Sequence, residues 1–257
     1  VGSTFDNKNV GTGKTVTVNS ITLANGSNGG LAANYSISAG QTTTANITAK
    51  ALTVSGITAS NKTYDSNTTA TLNTGSVSYT GLVGGDVFNG TYTGAFSDKN
   101  VGTSKTVTIT PSYTGADVSN YSITNHANIT ANITAKALTV SGITSANKVY
   151  DGNAVATLNT SSVLYSGLVA GDTFSGSYTG AFANANVGTG KTVTISPTYS
   201  GADVNNYNIT NHSTIAADIS KKALTATASA PNKVYDGNNT ATTTLTLSGY
   251  IGSETLN

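Results

Sequence analysis

The residues most able to do chemistry come in one short recurring pattern: Lys148, Tyr150 and Asp151, repeated as Lys62, Tyr64, Asp65 and as Lys233, Tyr235, Asp236. A lysine and a tyrosine beside a carboxylate can pass protons. No histidine or second carboxylate lies nearby in the sequence, and a tandem array would carry the same active site in every copy. A buried tyrosine anchoring a tight turn accounts for the pattern better, so no catalytic residue is assigned and the chain is read as a non-enzyme. The lysines and neighbouring asparagines also permit a Lys–Asn isopeptide cross-link. That bond needs a buried lysine, an asparagine and a catalytic acid in one place, which spacing alone does not establish.

Other candidates have plainer explanations. Gly188–Thr189–Gly190–Lys191–Thr192 resembles the end of a phosphate-binding loop, but the glycine needed five positions before Gly190 is Ala185, and the second copy has Ser104 at Gly190. A turn entering a strand is the better reading. Asp86, Asp117, Asp172 and Asp203, with Asn120 and Asn206, offer oxygen ligands of the kind Ca²⁺ takes. They are sparse and lack an alternating acidic motif, so they read as side chains capping turns. His126 and His212 occur once per copy and read as loop histidines. Triplets such as Asn67–Thr69 and Asn132–Thr134 arise by chance in so Asn- and Thr-rich a chain. No metal and no cofactor is expected.

Composition favours strands. Of 257 residues only 9% are charged; every basic residue is Lys, and Glu254 is the single glutamate. Thr, Asn, Ser and Gly fill the chain, and these are poor helix formers, while β-branched Thr suits a strand face. Disorder is countered by the 37% of hydrophobic residues, which sit in short periodic runs. Without Cys there is no disulfide framework. No apolar run is long enough to span a membrane as a helix. The net charge of +1, with no basic cluster, argues against nucleic acid and acidic membrane surfaces. The start at Val1 is read as a segment of a longer or processed protein.

The strongest feature is a repeat. Residues 49–134 and 135–220 align without a gap and are identical at 59 of 86 positions. Residues 1–48 match the second half of this unit, and residues 221–257 match its first half. Four segments follow: 1–48, 49–134, 135–220 and 221–257. Within a unit, Leu138 and Val140 alternate with polar neighbours, as do Val193 and Ile195, and Tyr207 and Ile209. Phe174, Gly176, Tyr178, Gly180 and Phe182 share one face. Turn signals at Asp151–Gly152, Ser166–Gly167, Ala170–Gly171–Asp172 and Ser200–Asp203 divide about seven short strands.

The expected fold is all-β: small antiparallel β-sandwich domains in tandem, immunoglobulin-like in layout, with a β-grasp-like arrangement as the alternative. Any helix is a single turn. Leu138, Val140, Leu158, Leu168, Phe174, Phe182, Val193, Ile195, Tyr207 and Ile209 should be buried. The junction between Ile133–Thr134 and Ala137–Leu138 lacks flexible linker residues, which predicts units lying end to end as a semi-rigid rod.

These motifs resemble the YDG-type repeat domain of large bacterial surface and secreted adhesins, including filamentous-haemagglutinin-like proteins. The resemblance rests on Asn147–Lys148–Val149–Tyr150–Asp151–Gly152, Gly167–Leu168–Val169–Ala170–Gly171–Asp172, Tyr178–Thr179–Gly180–Ala181–Phe182, Asn186–Val187–Gly188 and Gly201–Ala202–Asp203 before Asn206–Tyr207. One departure is Ser66, where the other copies have Gly152 and Gly237; if the position needs positive φ, Ser66 is strained. The resemblance implies export to the bacterial cell surface and an adhesive or matrix role, without catalytic residues.

The expected function is therefore a stalk or fibre module of an extracellular adhesin or biofilm-matrix filament. Its partners are neighbouring repeats or further copies of itself, with a surface glycan or host protein as the alternative. The two outer segments have 37 and 48 residues, together one short of a repeat. That match raises a head-to-tail polymer with Asn257 near Val1, built either as one long polypeptide or from separate subunits.

Overall fold

The computed structural model describes residues 1–256; Asn257, invoked in the head-to-tail reading, lies outside the described residues. The chain is all-β, with three single-turn 3-10 helices at Ala32–Asn34, Val118–Asn120 and Val204–Asn206 and no α-helix among the described residues. It divides into two compact units. The first comprises residues 1–63 and 67–134, and the second residues 135–257 together with Tyr64–Ser66.

In the second unit, residues 135–220 form a two-layer sandwich. A five-stranded sheet runs in the order Lys148–Val149, Thr214–Ser220, Gly188–Ser200, Ser175–Phe182, Val155–Ala156. A three-stranded sheet, Leu164–Ser166, Lys136–Ser141, Tyr207–Thr210, covers it. The alternation sets the packing: Val140 from the smaller sheet, with Ile143 from the loop that follows it, meets Ile195 from the larger, while the polar neighbours of Val140 face out. Phe182, Val193, Ala217 and Ile219 fill the rest of the core. The first unit repeats both sheets with the strands of residues 49–134.

Most pairs are antiparallel as expected, but two per repeat run parallel. Lys136–Thr139 pairs with Tyr207–Thr210, and Lys148–Val149 pairs with Ile219–Ser220. Parallel neighbours need long crossovers, and here most of the repeat serves as the crossover. Leu158, Leu168, Phe174 and Ile209, expected in the core, are instead half-buried. Leu158 sits in a two-residue strand and Ile209 on an edge strand, while Leu168 and Phe174 flank the turn between them.

The glycine motif that suggested a phosphate loop is a β-bulge. The register between Gly188–Ser200 and Thr214–Ser220 shifts between Gly188 and Lys191, and Gly190 takes φ 60° there. Asp218 Oδ1 accepts the Gly190 N–H at 2.7 Å. Ser104 occupies the matching bulge with φ 50°.

In the first unit, Gly2–Phe5, Gly11–Ser20 and Thr42–Ile47 form a three-stranded antiparallel sheet. In the second, Thr225–Ser229 and Thr244–Ser248 form an antiparallel pair whose first strand is exposed throughout.

Candidate functional site

Each Lys-x-Tyr-Asp turn splits its polar groups between two jobs. The lysine stays local. Lys148 Nζ donates to Asn153 O at 2.8 Å, Asn153 Oδ1 at 3.0 Å and Val155 O at 3.1 Å. It also pairs with Asp151 at 2.7 Å and lies 5.7 Å from the Phe182 ring centroid. Lys233 repeats the cage with Asp236, Asn238 and Thr240, and Lys62 donates to Asn67 and Thr69. The lysine, acid and asparagine of the isopeptide reading do meet. The cage, however, engages the lysine as an ammonium donor, and an ammonium has no lone pair with which to attack an amide. The ion pair holds the Asp151 carboxyl below its ordinary range, with the Asn153 N–H adding to the effect.

The tyrosine goes elsewhere. In the second unit Tyr64 is buried, 1% exposed, and its hydroxyl donates to Asp203 Oδ1 at 3.3 Å. Its ring meets Tyr207 edge-on at 5.6 Å. Ser66 Oγ donates to Asp172 Oδ1 at 2.8 Å. Ser66 does adopt a left-handed backbone, φ 66°, where Gly152 and Gly237 take 79° and 78°. The acceptors are built locally: Asp203 Oδ2 caps the Thr173 N–H at 2.8 Å, and the Tyr207 hydroxyl donates to Asp172 while accepting the Val169 N–H. Burial, then the bond to Asp172, pushes the Tyr207 hydroxyl up to about 12.

Tyr150 repeats the arrangement one repeat later, donating to Glu254 Oε1. A cavity of about 480 Å³ there is lined by Tyr150, Val187, Lys222 and Ile251, and Ile251 packs against Gly152. Tyr235 is 93% exposed.

The first unit holds the same carboxylate pair with a different guest. Asp117 Oδ2 caps the Val87 N–H and Asp86 Oδ2 accepts the Tyr121 hydroxyl. Lys8 reaches in from the Gly2–Ser20 sheet and bridges both carboxylates, 2.9 Å from Asp86 and 2.7 Å from Asp117. Asn120 Oδ1 accepts the Val10 N–H at 2.9 Å. Asp117 is held below the carboxylate range chiefly by Lys8 and then by the Val87 N–H; for Asp86 the Tyr121 hydroxyl leads and Lys8 follows.

Of the four aspartates read as turn caps, Asp117 and Asp203 cap backbone N–H groups, and all four receive a side chain from another repeat. The sequence reading found the first role and missed the second. Its available signal was a turn tyrosine recurring as Tyr64, Tyr150 and Tyr235. His126 Nδ1 stays beside Ala127 O. Among the described residues, no group of three His, Cys, Asp or Glu side chains is placed to share a metal.

The chain matches the YDG domain family in three successive blocks, residues 1–45, 48–130 and 134–215. No curated protein and no solved structure matches it.

Proposed function

The chain belongs to the YDG domain family, and on that premise we propose that it is a structural repeat module, a stalk or fibre segment of a bacterial extracellular adhesin or matrix filament. The observation that carries this reading is how the repeats spend their polar groups. Lys8 satisfies Asp86 and Asp117, and Tyr150 satisfies Glu254. These residues bind other repeats and leave little to offer a foreign ligand. The aromatic side chains support the same reading. Tyr79, Phe88 and Tyr113, like Tyr165, Phe174 and Tyr199, stack on one another inside the sandwich and do not form an exposed row for a glycan. The test is to shear surface appendages from the native cells and label them with antibody raised to residues 49–220. Regularly spaced label along filaments supports the reading, and label confined to the cytoplasm overturns it.

A further inference from the structure

The first and last segments of each complete repeat lie side by side and point the same way. Lys136–Thr139 pairs with Tyr207–Thr210 in the smaller sheet, and Lys148–Val149 pairs with Ile219–Ser220 in the larger. Every partner lies 71 residues further on, at both ends of the run. Residues 136–149 and 207–220 therefore pass from one layer to the other together, without a change of register. Further bonds tie them near the second ladder. Asn147 Oδ1 accepts the Asp218 N–H at 2.8 Å, Ser220 Oγ donates to Lys148 O at 3.3 Å, and the Tyr150 N–H donates to Ser220 O at 2.9 Å. The other complete repeat has the same run. Lys50–Thr53 pairs with Tyr121–Thr124, Lys62–Thr63 pairs with Ile133–Thr134, and Asn61 Oδ1 accepts the Asn132 N–H at 2.7 Å.

Tension along the chain enters this repeat at residue 135 and leaves it at residue 221. It pulls residues 136–149 by their N-terminal end and residues 207–220 by their C-terminal end. In parallel neighbours these are opposite ends, so the segments are drawn past each other and their hydrogen bonds load together. Rupture then needs many bonds to fail at once, which raises the barrier that governs forced unfolding. An antiparallel pair pulled at its open end has no such protection, because its bonds break in turn. Slippage is resisted as well, since a shift of one residue turns the buried face of a strand outward. Leu138, Val140 and Ile143 in the first segment are buried, as are Ala217 and Ile219 in the last.

We propose that the two parallel segments of each complete repeat form a mechanical clamp, through which the repeat carries tension along the chain in shear. The clamp deepens the stalk reading and rests on it for the source of the tension. Its strength is a property of the purified chain, however, and can fail independently of where antibody label falls on the cell.

The test pulls the full 257-residue chain in optical tweezers. The chain has no Cys, so introduced cysteine pairs set the direction of load. Ala135→Cys with Lys221→Cys loads the clamp in shear. Ala135→Cys with Asn205→Cys, all three positions being exposed, pulls both segments by their N-terminal ends and opens the ladder pair by pair. The force at first rupture should be about twofold or more higher in shear. The shear rupture should be one event that releases roughly 250–300 Å, the extended length of a repeat less its folded span. Asn147→Ala removes the bond to Asp218; it should lower the shear force and leave the other unchanged. Equal forces in the two directions, or a shear rupture that proceeds in many small steps, overturns the proposal. A fall in both forces alike with Asn147→Ala assigns the strength to overall stability and overturns it too.

Discussion

The hydroxyls of Tyr178 and Tyr165 hydrogen-bond to one another at 3.1 Å, and Tyr92 and Tyr79 do the same at 3.1 Å in the preceding repeat. Gly176 lies directly above the first pair: a Cβ there would come within 2.4 Å of the Tyr178 oxygen and 2.8 Å of the Tyr165 oxygen. Gly176→Ala should therefore part the two tyrosines and cost about 1–3 kcal/mol, the usual range for overpacking. Gly84→Ala, where a Cβ meets nothing, is the control. Urea midpoints of the two variants decide the point.

Two serines sit where glycine is favoured. Ser104 takes φ 50° at the bulge where Gly190 takes 60°, and no side-chain bond from Ser104 offsets the strain, since only its N–H is held, by Asn132. Ser104→Gly should stabilise the second repeat by about 1 kcal/mol, and Gly190→Ser should destabilise the third by a similar amount. Ser66→Gly should gain less, because it forfeits the bond to Asp172. Thermal unfolding of the single variants orders the three.

Phe182 is 3% exposed and carries the Lys148 ammonium over its ring. Phe182→Ala should cost about 3–5 kcal/mol. It should also free Lys148, which would appear as faster chemical acetylation of that lysine than of Lys62.

The core was legible because it is local. Val193 and Ile195 alternate with threonines in one strand, and both are buried. The turn glycines were legible for the same reason: Gly152, Gly167, Gly171 and Gly201 all take positive φ. What escaped is what joins distant segments. Nothing near Lys136 signals a parallel partner at Tyr207, and nothing near Lys8 signals Asp117. Side-chain type marks a residue as able to pair, and only the folded topology supplies the partner.

The Lys8 bridge gives the first unit a pH response. Asp86 and Asp117 have depressed pKa values in the folded chain. Their contribution is thus complete above the ordinary aspartate value of about 3.9 and is lost as pH falls through the lower folded values. Protection of residues 1–48 from proteolysis by an acid-active protease should hold at mildly acidic pH and fail in strong acid. Lys8→Gln should weaken that protection at mildly acidic pH and flatten its acid dependence. At the other extreme, Tyr207 has its pKa raised to about 12. Its contribution is complete below the ordinary tyrosine value of about 10 and fades as pH climbs through the folded one. Tyr207→Phe should remove that alkaline transition from the ultraviolet titration.

Parallel pairing between near-identical repeats has a consequence for biogenesis. The strand Lys50–Ser55 must wait for Tyr121–Thr124, 71 residues later, before it can close its sheet. By then Lys136–Ser141, which has the same sequence, is about to follow, and it could claim the same partner. Vectorial emergence resolves the contest, because Lys50–Ser55 is waiting when Tyr121–Thr124 appears and its rival has not yet been made. Refolding from denaturant erases that head start and opens a strand-swapped route, so the order in which the chain leaves the ribosome is itself part of the information that specifies the fold.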